Sequence, residues 1–524
     1  MTTSQLSTLP VRPACAAAVV SGLGYALAQP GWGYWPLAAV CLVPLLRACV
    51  GRGAMARAAL GWAAGTAATC AATAVPAAVG STAYFGLSLW QGVVIALSVG
   101  QVFGAGSFAL AAALAGDPSK GRASVALVRL GAAWAGAEFA RSTGLTGLPW
   151  MLLAHALAPV PDLIQAASVG GTLLVSAWLA ALNGALLLCA SSGRRRGGAL
   201  AVASISLGVA ASLLLGGPPD GSSANPGNAG RISLASGDRE HRKGWLRVLL
   251  VQGSLPNAWR GEVARIGDAL DRMMRLSETP DPVDLVVWPE NAVSFLLPEN
   301  ESRIADAIRV RRRFPPYLLF GTPRLAGRST PILYNSAALL GPDRHTIGFH
   351  DKVHRLPFAE YVPWPFERFA RPGLVVTAGD RPVVLAAGAV PIGPLICFEI
   401  VFSQLARDLV RDGAEVLVNI SNDAWFGSTG AIEQHFASAV FRAVETRRPV
   451  LRATNTGITA AIDSAGRVVG RLDPDRTGTL EVSVMPGTGL TPYMRSGEVL
   501  GPIALAGAAL LLAAEIAMGR RDRR

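Results

Sequence analysis

Charged residues are scarce in this chain. Asp, Glu, Lys and Arg make up only 16% of its 524 residues, whereas roughly 25% is ordinary for a soluble domain. The shortage is concentrated in residues 13–216 and 498–518, while residues 246–490 have the composition of an ordinary globular protein. A single soluble protein with an oily core is disfavoured, because soluble helices are not apolar on all sides for about 20 residues, several times over.

Cysteine is rare wherever the chain is polar. Five of the six cysteines lie in or beside apolar stretches, and only Cys397 lies within residues 246–490. A region with one cysteine cannot form an internal disulfide, and no Cys/His cluster has the spacing of a zinc site. A lone thiol in a domain outside the cytoplasm invites oxidation, so its presence is a first indication of a chemical role.

Nucleic-acid-binding motifs are also missing, although the formal net charge is +12. The chain has no helix-turn-helix, zinc-finger or RNA-binding signature. Its Arg and Lys residues lie largely between and beside the apolar stretches, a pattern typical of membrane topology and of attraction to anionic lipid heads. We therefore expect the lipid bilayer, and no nucleic acid, as a partner.

Eight apolar stretches are long enough to cross a bilayer, which takes about 20 helical residues. They lie near 13–29, 34–50, 57–79, 88–115, 124–141, 163–190, 197–216 and 498–518. These stretches predict a membrane domain of about seven helices over residues 1–216 and one C-terminal span. A cleavable signal peptide is the alternative for the first stretch, but the spans that follow it directly favour a first span.

The basic residues predict the orientation, because cytoplasmic loops carry an excess of Lys and Arg. Such residues precede the first span, follow the last, and lie between spans two and three, four and five, and six and seven. If all eight stretches cross, residues 246–490 lie outside the cytoplasm, and a miscount by one would reverse this. Residues 217–245, rich in Gly, Pro, Ser and Asn, predict a flexible linker.

Residues 246–490 alternate strand-like and helix-like segments, which predicts an α/β domain. Three predicted strands lead into residues capable of chemistry, namely Glu290, Lys352 and Cys397. A carboxylate can take a thiol proton, an ammonium group can stabilise an oxyanion, and a thiolate is a nucleophile. Taken singly, Glu290 is more simply an ordinary turn glutamate, Lys352 a surface lysine and Cys397 an inert buried cysteine.

Taken together, the motifs resemble a known pattern. WPEN with Glu290, DKVHRLPFAEYVP with Lys352 and Glu360, and ICFEI with Cys397 and Glu399 are similar to the Glu-Lys-Cys triad of the nitrilase superfamily, in its chain order. That family has a four-layer α-β-β-α sandwich. The membrane spans, together with VQGSLP at 251–256, ISNDAWFG at 420–427 and RATNTGITAAID at 452–463, resemble its apolipoprotein N-acyltransferase branch.

The resemblance implies a two-step, ping-pong acyl transfer at a bacterial cell membrane. Glu290 would be the general base, Cys397 the nucleophile on a phospholipid acyl ester, and Lys352 the stabiliser of the tetrahedral intermediate. Glu360 and Glu399 would be supporting carboxylates. The acyl group would pass to the free α-amino group of the diacylglyceryl-modified N-terminal cysteine of an apolipoprotein, the last step of lipoprotein maturation. No metal or organic cofactor would be needed.

Four aromatic residues are further candidates for substrate contact, with ordinary packing as the alternative: Trp364, Phe398, Trp425 and Phe426. Phe398 departs from the family, which often has tyrosine after the nucleophile. In the membrane part, Glu138 and Arg141 are either a structural helix pair or part of a path for lipid. Asn183 predicts a contact between helices.

Three other functions remain open from the sequence. A membrane-tethered nitrilase or amidase would use the same triad to hydrolyse a small amide, although one anchor would then suffice. A binding or assembly protein without activity is disfavoured by the intact triad. A transporter is disfavoured because no internal membrane repeat is visible.

Overall fold

The computed structural model describes residues 7–85, 88–120, 122–144, 147–190, 199, 202–203, 206, 208, 230–234, 244–255, 263–279, 282–292, 296–297, 301–309, 314–327, 332–357, 359–362 and 376–521. The chain divides into two compact units. The first comprises Met1–Gly217, Trp425–Ala437 and Ser496–Arg524, and the second comprises Pro218–Ala424 and Ser438–Arg495. Most of the predicted seventh span, most of the predicted linker, and Trp364 lie outside the described residues.

The α-helices of the described residues follow the apolar stretches in the first unit and alternate with strands in the second. In chain order they are α1 Val11–Ala28, α2 Val43–Cys49, α3 Ala54–Phe85, α4 Leu89–Val99, α5 Gly106–Ala115, α6 Ala123–Thr143, α7 Ala167–Cys189, α8 Val263–Leu276, α9 Glu301–Arg309, α10 Ser403–Arg411, α11 Ala431–Thr446, α12 Pro492–Ser496 and α13 Leu500–Arg521.

Four helical stretches of the described residues are long and apolar enough to cross a membrane. They are Val11–Ala28, Leu89–Ala115, Ala167–Cys189 and Leu500–Met518. The second of these joins α4 to α5 through a π-helical turn at Gly100–Ala105, without a break in the apolar character. The prediction that this part of the chain is a helical membrane domain is thus confirmed.

The stretch predicted as a second span, 34–50, is not one continuous helix. It consists of a 3-10 turn at Trp35–Ala39 and the seven-residue α2, each with a proline at its start. The first turn of a helix tolerates proline, but in the helix interior proline removes a backbone hydrogen bond. Asn183 on α7 binds backbone groups at this interruption. Its Nδ2 donates to the carbonyl of Ala38 at 2.9 Å, and its Oδ1 accepts the N–H of Leu42 at 2.8 Å. The predicted contact of Asn183 is confirmed.

Three charged side chains join α3, α6 and α13 within the first unit. Arg57 is fully buried, and its Nη1 lies 3.1 Å from Oε1 of Glu515. Arg129 reaches the other carboxylate oxygen of Glu515 at 2.8 Å. The two guanidinium groups also donate to the carbonyls of Ala113 and Leu114. Charges among apolar helices are costly unless paired, so this cluster fixes how the C-terminal helix packs.

Replacing Glu515 with glutamine tests the cluster. The variant keeps the size of the side chain but leaves two arginines without a carboxylate. Because Glu515 is only partly buried, the loss should cost on the order of 1 to 3 kcal/mol, less than for a fully buried pair. We expect the thermal unfolding midpoint in detergent to fall by several degrees. Ile516→Ala changes the neighbouring, exposed side chain and serves as the control. A Glu515→Gln protein as stable as the wild type would show that the pair does not hold the helix.

The second unit contains two β-sheets. Its strands are β1 Arg231–Leu234, β2 Leu246–Gln252, β3 Leu285–Val287, β4 Tyr317–Ala326, β5 Ile332–Leu340, β6 Thr346–Asp351, β7 Leu385–Ala387, β8 Val390–Ile396, β9 Val416–Ser421, β10 Val450–Thr454, β11 Thr459–Ile462, β12 Val468–Leu472 and β13 Gly478–Met485. One sheet has the order β1-β13-β2-β3-β4-β5-β6, and the other β12-β11-β10-β9-β8-β7.

Side-chain alternation along the strands separates two apolar layers. On β2, Val248 and Leu250 point into a core shared with Ile392 and Val418 of the other sheet. The intervening Leu249 and Val251 face the opposite way, toward side chains of α8 and α9. Helix α10 packs on β8. Strands covered on both faces read as continuous apolar runs, and the predicted four-layer α-β-β-α sandwich is confirmed.

Strand direction brings several chain segments to one edge of each sheet. β2, β3 and β4 are parallel, and β6 runs the same way because β5 is antiparallel to both β4 and β6. In the other sheet β8, β9 and β10 are parallel. The residues that follow β3 and β6, and those that follow β8 and β9, are therefore neighbours at the carboxyl edges, where α/β folds commonly carry their sites.

Candidate active site

Cys397 begins a sharp turn at the end of β8. Its backbone has a φ of +51°, in the left-handed region that non-glycine residues rarely adopt without surrounding support. That support comes from Asn419 on the adjacent β9, whose Nδ2 donates to the carbonyls of Leu395 and Cys397 at 2.9 and 3.4 Å. A short 3-10 helix, Cys397–Val401, follows. The thiol is buried, with 5% of the residue exposed.

Glu290 lies in the tight Trp-Pro-Glu turn after β3, as the sequence predicts. A Cβ atom at Gly321 on β4 would lie 2.5 Å from the Cα of Glu290, so the turn can approach the strand this closely only because that residue is glycine. The carboxylate is nearly fully buried. Its Oε1 accepts from Asn335 Nδ2 at 2.8 Å, and its Oε2 accepts the backbone N–H of Asn422 at 3.0 Å.

Lys352 follows β6 and is also buried. Its Nζ lies 3.0 Å from Oε1 of Glu360 and 3.5 Å from Oε1 of Glu290. Asn335 Nδ2 donates to the same two carboxylate oxygens, at 3.0 Å to Glu360 and 2.8 Å to Glu290. We call Glu290, Asn335, Lys352 and Glu360 the carboxylate–lysine cluster. The structure thus brings together the predicted base, the predicted oxyanion stabiliser and one predicted supporting carboxylate.

Electrostatics keep the lysine charged and the thiol neutral. Burial alone would lower the pKa of Lys352, but the carboxylates of Glu360 and Glu290 outweigh it and raise that pKa. Burial raises the pKa of the Cys397 thiol to about 12, with the charge of Glu290 adding to the rise and that of Lys352 opposing it. The resting cysteine is therefore a protonated thiol, and its ionisation needs a base.

Glu399, the second predicted supporting carboxylate, ties the turn after β8 to the turn after β6. Its Oε1 accepts the N–H groups of Val353 and His354 at 2.6 and 3.2 Å. Its Oε2 accepts from Ile396 N at 2.8 Å and from His350 Nε2 at 3.0 Å. Burial alone would raise the pKa of Glu399, but His350 and these donors hold it below its usual range.

His350 has a defined tautomer in this arrangement. Its Nδ1 accepts the backbone N–H of Val383 at 3.2 Å, so the ring hydrogen lies on Nε2 and points at Glu399. His350 therefore donates to Glu399 through Nε2 and accepts from Val383 through Nδ1, so both ring nitrogens of this buried histidine have a hydrogen-bond partner.

Glu399→Gln is expected to lower the rate of the reaction at this site about 10²-fold, because the amide NH2 would face N–H donors and loosen the turns after β6 and β8. The measurement is the rate of that reaction, together with the thermal unfolding midpoint. Glu301→Gln is the matched control, since Glu301 also accepts a backbone N–H, from Thr346 at 2.5 Å, at the start of α9. Wild-type activity in Glu399→Gln would contradict the positioning role.

The remaining predicted substrate contacts are four aromatic residues. Phe398 is buried and packs against Phe402, with ring centroids 5.2 Å apart, and against His354 at 6.2 Å. Trp425 and Phe426 belong to the first unit, where the ring of Phe426 lies 5.6 Å from that of Trp150. Trp364 lies outside the described residues. A direct role of these four residues at substrate stays a prediction.

Glu138 and Arg141 each bind backbone groups of the loop that follows α6. Glu138 Oε1 accepts Leu153 N at 2.7 Å and Trp134 Nε1 at 3.0 Å. Arg141 Nη2 donates to the carbonyl of Met151 at 3.4 Å. Both side chains therefore shape this loop.

Sequence reasoning missed Asn335 and Asn422, which hold Glu290 in place. Asn422 lies in the ISNDAWFG motif that supported the family resemblance, so its position carried a signal, although its backbone rather than its side chain makes the contact. Asn335 lies inside β5 and carried no such signal. The polar pair Asn335-Ser336 in a mainly apolar strand was a weak indication of a buried polar contact.

Comparisons with known proteins assign both parts of the chain. Residues 250–491 match the family model of carbon-nitrogen hydrolases. Residues 21–185 match the model of the apolipoprotein N-acyltransferase N-terminal domain. The chain is 33% identical to an apolipoprotein N-acyltransferase of Geobacter metallireducens, over 95% of this chain and 94% of that protein. It is also 33% identical to one of Ralstonia nicotianae, over 75% of this chain and 71% of that protein.

Among solved structures, an amidase from Nesterenkonia sp. matches this chain. It is 19% identical, covers 49% of this chain and 94% of that chain, and has a TM-score of 0.34.

Proposed function

This chain belongs to the apolipoprotein N-acyltransferase family, and on that premise we propose that it transfers a fatty acyl group from a phospholipid to the free α-amino group of a diacylglyceryl-modified apolipoprotein. The acceptor amine is that of the N-terminal cysteine, so the reaction is the last step of lipoprotein maturation. The observation that carries the proposal is the buried carboxylate–lysine cluster, whose charges act on the Cys397 thiol.

In the first step Glu290 takes the proton of the Cys397 thiol while the sulfur attacks the acyl ester carbonyl. The negative charge that forms on the carbonyl oxygen is stabilised by the ammonium group of Lys352. The intermediate collapses, the ester C–O bond breaks, and the proton on Glu290 passes to the departing lysophospholipid oxygen. The raised thiol pKa supports a role for a base, since few thiolates exist without one.

In the second step the amine of the acceptor attacks the thioester. Glu290 takes a proton from the attacking nitrogen, Lys352 again stabilises the oxyanion, and the C–S bond breaks. The thiolate recovers its proton from Glu290, which leaves an amide and the resting enzyme. A thioester is a reactive acyl store that amines attack readily, and neither step uses a metal or an organic cofactor.

Glu360 and Glu399 are positioning residues in this mechanism. Glu360 holds the ammonium group of Lys352 at 3.0 Å, and Glu399 fixes the turns that carry Lys352 and Cys397. Phe398, Trp425 and Phe426 are proposed contacts of the lipid chains. Their aromatic side chains suit an apolar substrate.

The protein is a membrane protein, and we place its catalytic domain, residues 246–490, on the extracytoplasmic side. The alternating distribution of basic residues between the apolar stretches supports this side. A membrane domain over residues 1–216, a linker at 217–245 and a span at 498–518 complete the proposed organisation. Both substrates carry fatty chains, so a site attached to the bilayer avoids their full extraction into water.

The experiment is a transfer assay with the full chain in detergent or liposomes. A phospholipid with a labelled acyl chain is incubated with a diacylglyceryl peptide that has a free N-terminal amine. We expect label in amide linkage on this peptide and none on the same peptide with an acetylated amine. Release of labelled free fatty acid without peptide acylation would instead support the membrane-tethered hydrolase, and no turnover would refute the proposal.

A further inference from the structure

We propose that Ser421 is an additional catalytic residue, which accepts a hydrogen bond from the Cys397 thiol at rest and donates its hydroxyl hydrogen to the sulfur whenever the sulfur is a thiolate. Asp423 and Arg452 are its positioning residues. The inference deepens the proposed function and rests on it in one respect, namely that Cys397 is the nucleophile.

Strand register brings Ser421 beside the thiol. β8 and β9 are parallel, with Ile396 opposite Ile420, so Cys397, the first residue after β8, lies beside Ser421, the last residue of β9. Ser421 is fully buried. A hydrogen bond joins its side chain to the Cys397 thiol. A buried hydroxyl next to a reacting sulfur has no water to exchange partners with, so its few partners decide its orientation.

An aspartate binds the Ser421 hydroxyl, and an arginine binds that aspartate. The Ser421 hydroxyl donates to Oδ1 of Asp423 at 2.7 Å. The other oxygen of Asp423 accepts from Arg452 Nη2 at 2.6 Å, and Arg452 also donates to Oδ1 of Asn419. All four side chains are fully buried. A Cβ atom at Gly457 would lie 2.0 Å from the aspartate oxygen, so the absence of a side chain there leaves the carboxylate its place.

The count of hydrogens sets the direction of the thiol contact. A hydroxyl has one hydrogen, and Ser421 gives its hydrogen to Asp423. The serine oxygen can therefore only accept from the thiol, and the S–H of Cys397 points at Ser421. This geometry fits the resting state, in which the cysteine is protonated.

Ionisation reverses the contact. When Glu290 takes the thiol proton, the sulfur has lone pairs only, and the Ser421 hydroxyl gains by rotating to donate to it. Asp423 then loses one hydrogen bond but keeps its arginine partner, so no carboxylate is left unpaired. The serine proton stays on serine throughout. The same rotation recurs when the thioester C–S bond breaks and the thiolate leaves.

The charges around the sulfur show why such a donor matters. Negative charge on Glu290 and on Asp423 raises the thiol pKa, whereas positive charge on Lys352 and the hydrogen bond from Ser421 lower it. Two carboxylates thus oppose the thiolate, whereas the ammonium group of Lys352 and the hydroxyl of Ser421 favour it.

The test measures thiol ionisation without any lipid. The full chain in detergent is alkylated with iodoacetamide over a pH series, and the Cys397 adduct is quantified by mass spectrometry to separate it from the other five cysteines. In Ser421→Ala the thiol loses a donor to its charged form, so we expect alkylation at a given pH to be about ten- to a hundredfold slower. Ser421→Thr keeps the hydroxyl and should restore most of the rate.

Two further variants separate this role from simple packing. Asp423→Asn removes a negative charge and frees the hydroxyl, so Cys397 should be alkylated faster than in the wild type. Ser336→Ala removes another serine–aspartate hydrogen bond, a part-buried one to Asp351 at 2.5 Å, and should leave the Cys397 profile unchanged. A wild-type profile in folded Ser421→Ala, or a Ser421→Thr profile as slow as that of Ser421→Ala, would overturn the inference.

The outcomes also separate this inference from the proposed function. A slowed Ser421→Ala profile in a protein whose wild-type form never acylates a peptide would refute the acyl transfer and leave the action of the hydroxyl on the sulfur standing. A wild-type protein that acylates peptides, with no change in the Ser421→Ala profile, would overturn the role of Ser421 alone.

Discussion

A Cys397→Ser enzyme is expected to transfer acyl groups at least about 10³-fold more slowly than the wild type. The serine hydroxyl would keep the place of the thiol in the turn after β8. It is far harder to ionise than a thiol, however, and the neighbouring carboxylates of Glu290 and Asp423 oppose the negative charge further. The measurement is the initial rate of amide formation on a diacylglyceryl peptide.

Cys15→Ser provides the control for this variant, because Cys15 is exposed and belongs to α1. It should retain the wild-type rate. Full activity in Cys397→Ser would remove the nucleophile from the mechanism, whereas equal losses in both variants would point to a general effect on the protein.

A Lys352→Met enzyme is also expected to lose at least about 10³-fold in rate. Loss of one oxyanion-stabilising group alone costs about 10² to 10³. In addition, Glu290 and Glu360 would face each other across Asn335 with no cation between them, and the thiol would lose the positive charge that opposes its raised pKa. Both the formation and the discharge of the acyl-enzyme should slow.

The control for Lys352→Met is Lys120→Met, which removes the charge of a lysine between α5 and α6 and should leave the rate unchanged. Lys352→Arg tests whether the shape of the cation matters as well as its charge. We expect it to be impaired too, because a planar guanidinium group cannot replace an ammonium group that lies 3.0 and 3.5 Å from two carboxylates. Transfer at the wild-type rate in Lys352→Met would show that the oxyanion is stabilised elsewhere.

The sequence predicts where Glu290, Lys352 and Cys397 lie in the fold, because each follows a predicted strand inside a recognisable motif. Glu290 and Cys397 end apolar runs, and a strand end is a rigid place for a reactive side chain. The same reasoning does not reach Asn335, Ser421 or Arg452. Their contacts depend on which strands are neighbours and in which register, as with Ile396 opposite Ile420, and strand order cannot be read from periodicity.

The membrane part shows a similar limit. Apolar length predicts α1, α7 and α13, because a long run without charge has few alternatives to a helix in lipid. The broken stretch 34–50 reads as equally apolar, and the interruption is stable only because Asn183 supplies hydrogen bonds from another helix. The ion pair of Arg57 with Glu515 joins residues at opposite ends of the chain. A topology argument counts such an arginine as a loop charge.

The central claim is that the fatty group passes through the sulfur of Cys397, and mass spectrometry of the protein after exposure to phospholipid tests it most directly. The account predicts one acyl group on the peptide that contains Cys397, cleaved by hydroxylamine as a thioester is, and discharged on addition of a diacylglyceryl peptide with a free amine. Active enzyme that acylates the peptide while Cys397 stays unmodified at every time of sampling, or carries its acyl group on another residue, would contradict the account.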